Sequence, residues 1–328
     1  MLLPSDSPIG EGSIFGLREN DSCGALGQER EIEALRKDGS RFHATVSLSQ
    51  VVLDGQRMHI AVIRDISERK AAEQKLQENA EQLQAYYEHT QSEQQLAMRL
   101  MEKQLHRSGL KDSCLHYSVI PAENFSGDIV AAARSPEGRF YALLADATGH
   151  GLAAAVSVLP VVQEFYRLVE QNEPLSGIVD AINFVLANSL PAGRFVAAAF
   201  VSLDEQAREG EAWVGGIPGV QMIDDSGRIV RRFESRNLPL GVTREADGIK
   251  TFERFSWAEP ARLVMLSDGV VEATAPDGEA FGEARLAHSL ASPRSEDLIA
   301  RLRAALTTHL AGTPAHDDIS ILVIDCPA

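Results

Sequence analysis

The chain has 328 residues, 44% of them hydrophobic and 24% charged, which is the range of a water-soluble globular protein and not of a disordered or membrane-spanning one. Thirty-one basic against 47 acidic residues leave a formal net charge of −16. That weighs against a nucleic acid or an anionic membrane as the main partner, because such surfaces are neutralised by clustered Lys and Arg. No stretch runs uninterrupted through the ~18 apolar residues of a transmembrane segment, and the N-terminus lacks a basic region followed by an apolar run. Three widely spaced cysteines, Cys23, Cys114 and Cys326, are read as reduced thiols, so a cytoplasmic protein is expected.

In chain order, the first segment, 1–67, is strand-rich. Alternating stretches at about 29–36, 41–52 and 57–65 are broken by Asp38-Gly39 and Asp54-Gly55, two hairpin signals, and predict three antiparallel strands. With KDGSRF and AVIRDISERK, closing on Asp65-Ile66-Ser67, the stretch resembles the C-terminal half of a PAS sensory domain, without the strands and helices that precede it there. A residual docking sheet is the alternative reading.

Residues 68–109 hold no proline, and no glycine before Gly109, and are rich in Glu, Gln, Lys, Ala and Leu, which predicts one long helix. Leu76, Ala80, Leu83, Tyr87, Thr90, Gln94, Ala97 and Met101 fall on a heptad seam, shifting afterwards to Leu100 and Leu105. A parallel coiled-coil homodimer is expected through this linker, against the alternative that the helix packs on its own chain.

The third segment, 110–328, mixes short apolar strands with a few helices. Strands are expected near 115–120, 128–133, 139–146, 195–203, 210–216, 219–224, 228–233, 262–267 and 319–325. Helices are expected near 151–171, 174–189, 283–290 and 295–311, the last capped at Ser295. Many strands beside few helices, without βαβ alternation, predict an α+β layered domain.

Aspartates stand at the strand ends of this segment. Asp128 opens one strand in NFSGDIV, and Asp146 closes another in LLADATGHG. Asp268 follows an apolar strand in LVMLSDGV, and Asp317 and Asp318 precede the last in HDDISILVI. Burying unpaired carboxylates is costly, so several converging at strand ends call for a cation. Oxygen donors without thiolates or a His cluster suit Mg²⁺ or Mn²⁺. Any one of these aspartates alone is an ordinary turn residue; the ordered set, separated by apolar strands, is the stronger signal.

Ser126-Gly127-Asp128, Asp146 to Gly151, Ser267-Asp268-Gly269 and Asp317-Asp318-Ile319-Ser320, with NLPLGV and DGEAFGEARL, occur in full order over about residues 115–326. This series resembles the metal-dependent protein Ser/Thr phosphatases (PPM, or type 2C) of the bacterial SpoIIE/RsbU branch. The resemblance implies a β-sandwich of two antiparallel sheets flanked by helices, with two Mn²⁺ or Mg²⁺ ions at one end. It implies that Asp146 bridges both ions, that the Ala147 carbonyl and Asp128 serve one, and that Asp268 and Asp317 hold the other. Asp318 is a ligand or a neighbour of the ligands. A metal-activated water would attack phosphorus, with Asp146, Asp268 and Asp317 holding the ions and no phosphoenzyme. His150 is a weaker candidate for general acid, because its spacing from Asp146 differs from that in eukaryotic relatives; capping or local hydrogen bonding is the alternative. Ser126, Ala197, Ile217 and Ser320 depart from residues common in this branch, and none of these changes removes a carboxylate.

The resemblance implies a regulated phosphatase acting on a phosphorylated protein, a STAS-domain anti-sigma-factor antagonist. Two alternatives are a catalytically silent PPM-like module that binds a partner, and a nucleotide cyclase, which lacks its expected turn here. GxGxxG and P-loop fingerprints are absent. His309 and His316 read as exposed or capping residues, and Asp224-Asp225-Ser226-Gly227 as a hairpin turn.

Overall fold

The computed structural model describes residues 29–53, 56–105, 108–123, 125–244, 250–291 and 297–327. The chain divides into two compact units, Met1–Gln95 and Leu96–Ala328. In the first, β1 (Arg30–Leu35), β2 (Arg41–Leu53) and β3 (Gln56–Asp65) form an antiparallel sheet in the order β1-β2-β3. The first hairpin turns at Gly39, φ +87°, where the Asp38 carboxylate accepts the backbone N–H of Ser40 at 2.9 Å; Asp54 and Gly55 lie outside the described residues. Asp65 ends β3, accepting from Arg36 and from the Ser67 N–H, which opens the helix α1 (Ser67–Leu105). Along α1, Leu76, Leu83 and Tyr87 of the expected seam are exposed by 71%, 70% and 58%, so the described chain leaves that stripe uncovered.

The second unit is a sandwich. One sheet has the order β11-β8-β7-β6-β5 and the other β10-β9-β12-β13-β4, with antiparallel pairing throughout both. The strands are β4 (Leu115–Ile120), β5 (Asp128–Arg134), β6 (Phe140–Ala147), β7 (Val196–Asp204), β8 (Glu209–Gly215), β9 (Val220–Asp224), β10 (Ile229–Phe233), β11 (Glu253–Ser256), β12 (Ala261–Leu266) and β13 (Ile319–Cys326). Helices α2 (Leu152–Glu170) and α3 (Leu175–Ser189) cover the outer face of the first sheet. Helices α4 (Asp268–Glu272), α5 (Gly282–Leu290) and α6 (Leu298–Leu310) cover the second.

Side-chain alternation builds these layers. Phe140, Ala142 and Leu144 of β6 enter the core between the sheets with Val130, Met265 and Leu322, whereas Tyr141, Leu143 and Ala145 face α2 and α3. Helix α2 is long and apolar enough by composition to span a bilayer, but its buried side, including Val158, Val161 and Phe165, packs against β5, β6 and α3.

Two elements were not expected. β11 is a four-residue edge strand whose single buried side chain, Phe255, gives little periodic signal. α4 is a five-residue helix that begins at Asp268 itself. Helix α6 starts later than expected because Asp297, not Ser295, is its N-cap; the Asp297 carboxylate accepts the Ala300 N–H at 3.1 Å. Ser295 lies outside the described residues. The Asp224 turn is the expected hairpin, its carboxylate collecting the N–H groups of Ser226 and Arg228, with Gly227 at φ +79°.

Candidate metal and phosphate site

The alternation that fills the inter-sheet core also places the candidate site. Counting back by twos from Val130 and on by twos from Leu144 reaches Asp128 and Asp146, and counting likewise from Met265 and Leu322 reaches Ser267 and Ser320. Polar side chains therefore close one end of an otherwise apolar layer. Asp128 and Asp146 are directly opposed across the β5–β6 pair. Like charges so placed repel, at Cβ separations of about 5 Å.

Asp128 is 5% exposed, and neither carboxylate oxygen has a hydrogen-bond partner. Burial pushes its pKa up to about 7, with Asp318 and Asp268 adding to the rise and the hydroxyls of Ser320 and Ser267 opposing it. Those hydroxyls lie near Asp128 without completing bonds of normal geometry to it. Ser267 Oγ is already engaged by the Asp318 carbonyl at 3.1 Å and the Ser320 N–H at 2.9 Å, and Ser320 Oγ has no partner. The Asp128 oxygens are thus left unpartnered. Asp146 is half-buried; burial, then repulsion from Asp128, Asp268, Asp317 and Asp318, pushes its pKa up to about 9. Burial and Asp317 also raise the pKa of Asp268, at the start of α4. The five expected aspartates therefore meet at one end of the sandwich, Asp128 and Asp146 from one sheet and the other three from the opposite one.

Their roles differ. Both Asp318 oxygens are used by the protein: Oδ1 accepts the Ala122 N–H at 2.8 Å and Oδ2 the Gly127 N–H at 2.6 Å. Asp318 thus secures the loop between β4 and β5. Asp317 accepts the N–H of Asp318 at 2.8 Å. Gly269 is required by packing, since a Cβ there would lie 2.1 Å from the Asp318 carbonyl oxygen. At Gly127 there is no room for a side chain, because a Cβ would meet Ala154 Cβ at 2.9 Å and the carbonyls of Gly149 and Ala147 at 3.1 and 3.2 Å. The carbonyl assigned by resemblance, that of Ala147, thus lies beside Gly127, the neighbour of Asp128 in the chain. His150 lies on the exposed turn after Asp146, paired with Glu123 at 3.1 Å.

These residues fit a hard divalent cation in donor chemistry: opposed carboxylates, orphaned buried oxygens and a backbone carbonyl beside them. Among the described residues no three His, Cys, Asp or Glu side chains are already arranged around a single ion. The fit is thus one of donor type and juxtaposition, not a preformed coordination shell. A cavity of about 830 Å³ lies at the opposite end of β6, lined by Arg139, Tyr141, Ser202, Glu211 and Arg254. Its arginines already face carboxylates, Arg139 with Asp204 at 3.6 Å and Arg254 with Glu211 at 3.5 Å, and it is remote from the aspartates. Glu123 was not foreseen; Ser267 and Ser320 were named as motif residues without a role, and the period-two count along β12 and β13 would have placed them beside Asp128.

The fold has known counterparts. The SiaA PP2C domain of Pseudomonas aeruginosa matches with a TM-score of 0.62 at 19% identity, over 73% of this chain and 98% of that one. The PP2C phosphatase domain of SpoIIE from Bacillus subtilis, solved with a fragment of its regulatory domain, gives 0.54 at 15% identity, over 64% and 62%. The RsbU and RsbW domains of Rv1364c from Mycobacterium tuberculosis give 0.53 at 18% identity, over 65% and 61%. At these identities the likeness is one of fold. No curated protein sequence matches the chain. The family model for stage II sporulation protein E (SpoIIE) matches residues 136–327. It leaves out the N-terminal sheet, so the PAS likeness rests on the sequence alone. More than half of the chain is covered by that match, and the protein belongs to the SpoIIE family, with the PP2C-type fold of its structural neighbours.

Proposed function

We propose that the chain is a metal-dependent protein Ser/Thr phosphatase of bacterial signalling. The observation that carries this reading is the buried, unpartnered carboxylate of Asp128, directly opposed to Asp146, with Asp268 and Asp317 at the same end of the sandwich. Asp128, Asp146, Asp268, Asp317 and the Ala147 carbonyl would hold two Mn²⁺ or Mg²⁺ ions. When bound, such ions neutralise phosphoryl oxygens and bring the pKa of a water near neutrality. The chain's own part is positional. Rigid strands hold Asp128 and Asp146, Asp318 fixes the loop that carries Gly127, and Gly269 lets the Asp268 and Asp317 segments approach. His150 stands at the rim, paired with Glu123, as the candidate to hold a proton for a leaving seryl oxygen.

We assign the substrate by resemblance as a phosphorylated STAS-domain anti-sigma-factor antagonist. The domain division 1–67, 68–109 and 110–328 and a cytoplasmic location belong to the same proposal. A homodimer through α1 is supported by the exposed Leu76, Leu83 and Tyr87. The test is Mn²⁺-dependent hydrolysis of p-nitrophenyl phosphate and of a phosphoserine protein by the wild type, Asp146→Asn and Asp268→Asn. Metal-dependent turnover lost in both variants supports the phosphatase. A wild type inactive on both substrates, as the full chain and as residues 110–328, would instead favour the silent binding module.

A further inference from the structure

We propose that Arg194 receives the substrate phosphoryl group at the rim of this site; the inference rests on the phosphatase reading and adds to it a positive group of the chain's own. A phosphomonoester carries close to two negative charges. It must approach a cluster of aspartates on a chain of net charge −16, so binding benefits from a fixed positive group that the aspartates do not already consume.

Arg194 meets these conditions. It ends the turn between α3 and β7, where its N–H donates to the Pro191 carbonyl at 3.1 Å. The next residue is clasped to the turn after Asp146. The Phe195 carbonyl accepts from both the N–H and the hydroxyl of Thr148, at 3.1 and 2.9 Å, and the Phe195 N–H donates to the Thr148 hydroxyl at 3.1 Å. This clasp extends the β6–β7 register, in which Asp146 faces Ala197 and Ala147 faces Val196. The Arg194 backbone is thereby held beside the turn that carries Asp146.

The side chain leans the same way. Nη1 donates to the Thr148 carbonyl at 3.4 Å, a long bond, and Arg194 is half-buried. Thr148 directly follows β6, two residues from Asp146 and at most roughly 7 Å of chain away, within reach of a phosphoryl group held by ions at the carboxylates. Among the described residues Arg194 makes no ion pair, whereas Arg134, Arg139, Arg231 and Arg254 of the same unit each face a carboxylate. A guanidinium has five N–H donors in a planar fork suited to two phosphate oxygens, and the Thr148 carbonyl takes one.

The test compares Arg194→Gln and Arg194→Ala with the full-length wild type in saturating Mn²⁺. Gln can still donate to the Thr148 carbonyl but has no charge and no fork. Inorganic phosphate binding is measured by calorimetry, with Mn²⁺ affinity in parallel and KM and kcat on a phosphoserine peptide. The expected result is that both variants bind phosphate roughly 10- to 100-fold more weakly. KM rises to match, kcat changes little and Mn²⁺ affinity is unchanged. Wild-type phosphate affinity in Arg194→Gln would overturn the proposal and leave Arg194 a purely structural donor to Thr148. A parallel loss of Mn²⁺ affinity would overturn it too, since the residue would then act on the metal site. Turnover absent from both the full chain and residues 110–328 defeats the phosphatase reading itself, whereas the binding comparison is independent of turnover.

Discussion

Replacing Asp318 separates a residue that binds metal from one that positions the residues that do. Its carboxylate is 3% exposed and takes two backbone N–H groups, from Ala122 at 2.8 Å and Gly127 at 2.6 Å. Hydrogen bonds to a charged acceptor are worth about 1.5–3 kcal/mol each. Asp318→Ala should therefore destabilise the metal-free protein by about 3–5 kcal/mol, because the buried Gly127 N–H loses its partner outright and Ala122 is only half-buried. Asp318→Asn keeps one oxygen and turns an NH₂ toward the other donor, and should cost about 2 kcal/mol. Urea unfolding followed by tryptophan fluorescence reads this unit alone, since both tryptophans, Trp213 and Trp257, lie in it, 0% and 5% exposed. Mn²⁺ should still bind Asp318→Asn with near wild-type stoichiometry. If both variants unfold at wild-type urea but lose an ion, the carboxylate is a ligand and the positioning argument fails.

The metal-free protein should lose stability as pH rises. Asp128 and Asp146 titrate near 7 and 9 in the fold, above the unfolded value of about 3.9. Their contribution is thus fully present below about pH 4 and lost as pH rises through 7 and then 9. Urea midpoints in EDTA should fall between pH 5 and 9, by at most about 1.4 kcal/mol per pH unit for each carboxyl; a midpoint that climbs over this range would contradict the burial. Gly269→Ala should cost about 3 kcal/mol or more and abolish metal-dependent turnover, since its Cβ meets the Asp318 backbone at 2.1 Å; near wild-type urea midpoints and activity would refute the contact. Asn183→Ala should cost about 2–4 kcal/mol in the same urea assay, because Asn183 accepts the Gly241 N–H at 2.9 Å and donates to the Thr243 carbonyl at 3.0 Å. A loss below about 0.5 kcal/mol would mean that this latch is solvated.

Long apolar strands were legible because their residues are buried on both faces. β6, β7, β12 and β13 lie within one or two residues of their expected bounds, and five aspartates flanking such strands were visible as a group. β11 and α4 were not. Phe255 alone supplies the apolar side of β11, and α4 is held by Val270 beneath the sheet, a tertiary contact no local pattern announces. The division between Asp317 and Asp318 was left open by the resemblance, which allowed Asp318 to be a ligand or a neighbour of the ligands. Adjacent residues in extended chain point opposite ways, but which one turns inward depends on the Ala122 and Gly127 N–H groups nearly two hundred positions earlier. Arg194 gave no signal in the sequence, being a single Arg after a Pro-Ala-Gly turn.

Asp128 and Asp146 belong to one sheet, whereas Asp268, Asp317 and Asp318 hang from the other. The site is therefore a gauge of the offset between two slabs packed about 10 Å apart. Motion within a single sheet leaves one half of the aspartate cluster undisturbed, but sliding one slab along the other changes every distance between the halves at once. A displacement near 1 Å is large against the ±0.2 Å tolerance of a metal–ligand bond. Shear is thus the deformation to which the site is most sensitive, and the Asp318 bonds to Ala122 and Gly127, joining the segment before β13 to the loop before β5, are the stitches that resist it.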